Sequence, residues 1–130
     1  MRGIIITFLS CLFLFSCQEK KEEKGFEVSE QLSNVWELHD EIMPRVGELR
    51  SLKKQLTVIE DSLGSKVEFT DAKEQLNLAD KDMHRWMKEF DMVQKDDKSY
   101  MDDQVVQLNK MKELFESSIT NAKKIITDNK

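Results

Sequence analysis

Apolar residues recur at alternating spacings of four and three over three long stretches of the chain, and no stretch alternates with a period of two. Along residues 28–63, one side carries Val28, Leu32, Val35, His39, Ile42, Val46, Leu49, Leu56 and Leu63, supported by Leu52 and Ile59. Such a seam predicts an amphipathic helix with heptad-like packing. At ~1.5 Å per residue it is on the order of 50 Å long. Gly64 supplies a stop, and Ser65-Lys66-Val67-Glu68 reads as a capping box that starts a second helix over 66–92. That helix carries Phe69, Ala72, Leu76, Ala79, Met83, Trp86, Met87 and Phe90 on one side. Residues 94–98 are a polar linker. Ser99 with Asp102 offers a second capping signal, and a third helix over 100–127 follows. Its seam is Met101, Val105, Leu108, Met111, Phe115, Ile119, Ala122 and Ile126, with Lys112 interrupting it and snorkelling outward.

Short connections force neighbouring helices antiparallel. The expected fold is therefore all-α: an antiparallel up-down-up three-helix bundle over 28–130, with coiled-coil-like packing. The first helix is longer than the second, so its start is expected to overhang. Trp36, Val28 and Leu32 then form an uncovered apolar strip that invites a partner, either another protein or a second copy.

Composition narrows the function classes. The chain is 35% charged, with one Pro and four Gly, which suits helices with few turns. A net charge of −5 with both signs mixed leaves no basic stripe for nucleic acid and disfavours a helix lying on anionic lipid.

The first residues read as an address. Arg2 precedes a short apolar run from Ile4 to Phe15, too short to span a bilayer comfortably. Leu14-Phe15-Ser16-Cys17 resembles a bacterial lipoprotein box, although Phe15 is bulkier than such boxes usually carry. The resemblance implies that residues 1–16 are a cleaved signal peptide and that Cys17 is acylated. Cys11 also follows a serine, but cleavage there leaves Leu12 to Phe15 exposed and shortens the apolar core. The competing readings are an unlipidated cleaved signal and an uncleaved anchor helix. Residues 17–27 form a charged tether. Gln18 after the cysteine resembles outer-membrane sorting, and Lys21-Glu22-Glu23 resembles the tag of flavobacterial lipoproteins sent to the cell surface; an ordinary solvated tether has the same composition. With Cys17 the only thiol after cleavage, no disulfide framework exists.

One patch is unusual. His39-Asp40-Glu41-Ile42-Met43-Pro44 lies inside the first helix. Pro44 leaves the Asp40 carbonyl without its amide and kinks the helix at a cost of about 3 kcal/mol. Folding back at Gly64 brings Met83, Trp86 and Met87 level with His39 and Met43, and the third helix brings Tyr100 and Met101 to the same level. A His39, Met43, Met83 and Met87 cluster has the soft ligands that select Cu(I). Haem held by His39 or Met87 is a further option. The packing alternative is a methionine-rich core beside a proline kink, with His39 bonded to Asp80 or Asp82. His84 lies off the seam and is expected to be solvated. No Ser or Cys nucleophile has a base in reach, and no Gly-rich phosphate loop is present, so no enzyme is expected.

The run from His39 to Leu49, with Leu52-Lys53-Lys54-Gln55-Leu56, resembles a family of small flavobacterial lipoproteins labelled "viral A-type inclusion protein". Ala79-Asp80-Lys81-Asp82-Met83 and Trp86-Met87-Lys88-Glu89-Phe90 are similar to the same family. The label reflects coiled-coil likeness and implies no viral role. The resemblance implies a lipoprotein and a helical bundle, and carries no functional residues.

Overall fold

The computed structural model describes residues 29–130, so the leader, Cys17, the tether over 17–27 and Val28 lie outside the described residues. Ser29 opens the first helix. Its Oγ accepts a hydrogen bond from the Leu32 amide at 3.2 Å, satisfying one donor that a helix start leaves unpaired. α1 spans Glu30–Ile42. Pro44 has no amide to give, and the backbone tightens around it. Met43–Arg45 forms a 3-10 turn in which the Val46 amide reaches the Met43 carbonyl. α2 resumes over Val46–Leu63. The single helix expected over 28–63 is therefore two helices joined by one tight turn, and the proline is the cause.

Gly64 ends α2 at φ 84°, donating its N–H to the Glu60 carbonyl at 2.8 Å. A residue with a Cβ is strained at that angle. The expected capping box does not form. Ser65 Oγ donates to Glu60 Oε1 at 3.0 Å, and Glu68 pairs with Lys66 at 3.8 Å. A bond to a carboxylate is the stronger claim on that hydroxyl. The first amides of the next helix bond the Lys66 carbonyl instead.

α3 spans Val67–Glu89, ending short of residue 92 because Phe90 turns to extended backbone. Asp91 then accepts the Val93 amide at 2.9 Å and sets a 3-10 turn over Met92–Gln94. α4 spans Lys98–Asp128 and is capped by Asp97, whose carboxylate accepts the Tyr100 amide at 3.0 Å. Ser99 and Asp102, expected to supply this cap, lie inside the helix, Ser99 in its first turn and Asp102 just beyond it, where it accepts from Lys98 at 2.6 Å. A carboxylate at the cap position answers both the unpaired amide and the positive end of the helix dipole.

The described residues form three helical rods packed on one another: α1 with α2, α3, and α4. No strand occurs among them. α4, at 31 residues, packs against α1, α2 and α3 in turn. One apolar core runs between the rods. Leu32, Val35, Ile42, Leu49 and Leu56 meet Phe69, Ala72, Leu76, Ala79 and Met83 from α3, and Met101, Leu108, Phe115 and Ile119 from α4, each at most 2% exposed. Burying each large side chain contributes about 1.5–3 kcal/mol.

Cross-rod pairs mark the register. Arg50 forks onto Asp80 at 3.2 and 3.3 Å, Lys53 bonds Asn77 at 2.6 Å and Lys73 meets Glu60, so numbers fall on α3 as they rise on α2. Between the first rod and α4 they rise together: Glu41 with Lys112 at 2.6 Å, Arg45 with Glu116 at 3.6 Å and Glu48 with Lys123 at 2.6 Å. Solvated pairs of this kind are worth at most about 1 kcal/mol each. They align the rods more than they stabilise them. Lys112 does leave the seam as expected, and the hydrogen bond it donates to the Glu41 carboxylate raises its pKa above the ordinary lysine value against a smaller opposing effect of desolvation.

The expected overhang is absent among the described residues. Leu32 and Val35 are buried because α4 runs beside α1 as well as α2. Leu63 goes the other way. As the last helical residue before Gly64, it is 53% exposed rather than part of the seam.

Candidate functional site

The unusual patch of the first helix lands against an aromatic cluster at one end of the bundle. Trp36 and His39 share a face of α1, one turn apart, with their rings edge to face at 5.3 Å. Across the rods, Trp36 meets Phe90 at 5.7 Å and His39 meets Trp86 at 5.9 Å. Trp86 stacks on Phe90 at 4.9 Å, and Phe90 stacks on Tyr100 at 6.2 Å. Five rings from three helical rods and the connector after α3 thus form a continuous chain. Such pairs are worth about 0.5–1.5 kcal/mol each beyond the area they bury.

Two polar bonds pin this cluster. Trp86 Nε1–H donates to Gln104 Oε1 at 2.8 Å, and both residues are buried. The Asp91 amide donates to the Tyr100 hydroxyl at 2.7 Å, tying the connector between α3 and α4 to the first turn of α4. Gln104 escaped the sequence reading, which placed Val105 on the seam. Yet Met101, Gln104 and Leu108 follow the spacing of three and four, and a lone amide on that face opposite an indole is the signal that marks it. Ser118 is the second polar residue on the buried face of α4. Its hydroxyl has no hydrogen-bond partner.

The four residues singled out as soft ligands sit in different surroundings. Met83 is fully buried in the core, and Met43 packs partly buried against it. Met87, one turn beyond Met83, is 37% exposed. His39 is placed between Trp36 and Trp86, and its Nδ1 lies 2.9 Å from Asp40 Oδ1. The carboxylate partner is thus the next residue in sequence, not Asp80 or Asp82 as the packing reading expected. Those two are taken: Asp80 by Arg50 and His84, Asp82 by Arg85. His84 is exposed as expected, but it is held rather than free, with Nδ1 2.7 Å from the Asp80 carbonyl and Nε2 3.4 Å from Arg50. Among the described residues, no three His, Cys, Asp or Glu side chains gather as a metal-ligating group.

What the cluster offers chemically is an apolar surface. Trp36, in the ring chain, is 37% exposed, and Met87, Met92 and Val93, close in sequence to Trp86 and Phe90, are 37%, 43% and 89% exposed. Exposed apolar side chains next to aromatic anchors have the make-up of a contact surface.

No helix among the described residues is long and apolar enough to cross a membrane. Compared with known proteins, the chain matches no family model, and neither the curated proteins nor the solved structures yield a significant match.

Proposed function

We propose that this chain is a lipid-anchored module of the bacterial cell envelope, held by an acylated Cys17 in the outer membrane, and that it works by docking rather than by catalysis. Its partner is another envelope protein or a second copy of itself. The mature part is read as an antiparallel up-down-up bundle. Support for that topology comes from pair numbers that fall between α2 and α3 and rise together between the first rod and α4.

The observation that carries the docking reading is the exposed apolar set of Trp36, Met87, Met92 and Val93. Leu78 and Val106 are as exposed as Trp36 or more, but no aromatic chain backs them. At the Trp36 end, stacked rings give a stiff platform that loses little side-chain freedom on binding.

The test is a photoreactive residue placed at position 36, 93 or 78 in cells that make the full chain. Adducts of one defined size from 36 and 93, with none from 78, support docking through this end. Equal adducts from all three positions, or none from 36 and 93, overturn it. Intact-mass measurement of the membrane-derived protein checks the anchor separately, since a Cys17 without acyl chains removes that part of the proposal.

A further inference from the structure

A second surface, away from the aromatic end, carries its own chemistry. Between α2 and α3 lies an open groove of about 640 Å3. Its floor is made by Leu49 and Leu76, each 1% exposed overall, and one wall by Val58, which is 64% exposed. Its rim carries Arg50, Lys53 and Lys54 against a single carboxylate, Asp80. On a chain with a net charge of −5, this is a local reversal of sign.

The three cations are not equivalent. Arg50 is spent on Asp80 through its two-point fork. Lys53 bonds the neutral carboxamide of Asn77 at 2.6 Å, so its charge is not cancelled by a carboxylate. Lys54 makes no hydrogen bond or ion pair among the described residues. Two adjacent ammonium groups thus stand over an apolar trough. Their alkyl stems extend its walls, as long cationic side chains do when the head stays in water.

The trough also says what it does not hold. Thr57, the hydroxyl in its lining, already donates to the Lys53 carbonyl at 3.0 Å. A peptide laid along Leu49, Leu76 and Val58 turns amides toward hydrocarbon, at a desolvation cost. A hydrocarbon tail asks for no hydrogen bond. The volume falls within the range of small-molecule sites, which are mostly apolar with a few placed polar groups.

We propose that the groove between α2 and α3 binds a single-chain amphiphile with an anionic head, its tail on Leu49, Leu76 and Val58 and its head between Lys53 and Lys54. A long-chain carboxylate is the simplest ligand of this class. The proposal stands on the groove alone and does not depend on docking through the Trp36 end.

The experiment uses the full chain in nanodiscs of zwitterionic lipid and a dodecanoate probe bearing a diazirine. After illumination, the labelled positions are mapped by peptide mass spectrometry. Labelling is expected within residues 49–58 and 76–80, displaced by dodecanoate and not by dodecan-1-ol or acetate at equal concentration. Lys54→Gln is expected to weaken labelling about five- to tenfold, the loss of one charge-assisted contact. Val58→Glu, at a solvent-exposed position, is expected to abolish it. Labelling spread along the chain, labelling confined to the Trp36 end, or equal competition by the alcohol overturns the proposal. So does Lys54→Gln labelling at the wild-type level.

Discussion

Replacing Gln104 with leucine removes the only acceptor that the Trp86 indole has in the described bundle. Trp86 is 4% exposed and Gln104 6%, so water does not substitute freely for the lost bond. Leaving a buried donor unpaired costs about 1–3 kcal/mol, and the extra apolar area of leucine offsets part of it. The net expectation for Gln104→Leu is about 1–2 kcal/mol of destabilisation. Trp86→Phe alone strands the carboxamide of Gln104 and gives up part of the indole packing, for about 2–3 kcal/mol. Made together, the two changes remove donor and acceptor at once. The double variant should then be less destabilised than the sum of the singles by about 1–2 kcal/mol. Urea unfolding followed by circular dichroism reads this cycle, and in thermal melts each kcal/mol appears as a shift of about 4–8 °C. Additive single effects, or a Gln104→Leu variant as stable as the parent, refute the view that this bond pins the aromatic end.

Other substitutions test the local readings. Pro44→Ala returns an amide to the Asp40 carbonyl. With about 3 kcal/mol regained in the helix and up to about 1 kcal/mol lost through a freer unfolded chain, the melting temperature should rise by the equivalent of about 2 kcal/mol. Asp97→Ala should cost about 1 kcal/mol as a lost cap, while Ser99→Ala should stay within about 0.5 kcal/mol, a contrast that equilibrium unfolding measures directly. The hydrogen bond from Lys73, and after it that from Ser65, hold the Glu60 pKa below the ordinary 4.5, with desolvation opposing them. A group depressed in the folded state adds stability above its unfolded pKa and loses it as pH falls through the folded value. Melting temperature should therefore drop as pH falls below that ordinary value, and Glu60→Gln should flatten the drop.

The seam was the legible part of this chain because burial enforces it. Leu32, Val35, Ile42, Val46, Leu49, Leu52 and Leu56 repeat at three and four, and all seven are buried. Gly64 was legible for a different reason, since its backbone angle excludes most other residues. The caps were harder. Ser65 and Ser99 carry the right side chains, but Glu60 and Asp97 are charged competitors within reach, and sequence spacing does not rank such contests. His39 was placed correctly beside Trp86, while its carboxylate was sought across the bundle rather than at the next residue, Asp40. The overhang failed because α4 starts at Lys98, before Ser99, and its first half runs beside α1. The α2–α3 groove had no sequence signature at all. It exists because Lys53 and Lys54 sit at the edge of the seam, where facing side chains and not local pattern decide what is open.

The position of α4 bears on the order in which the molecule becomes complete. α1 finds its main helical neighbour in α4, the last of the described helices to be synthesised. Until then the greasy side of α1 has no lid, and α2 and α3 close only on each other. A nascent chain therefore stays sticky along α1 until α4 arrives, the interval in which a holding chaperone is most useful. A stop codon in the first half of α4, before Lys112, which lies level with Glu41, deprives α1 of its cover.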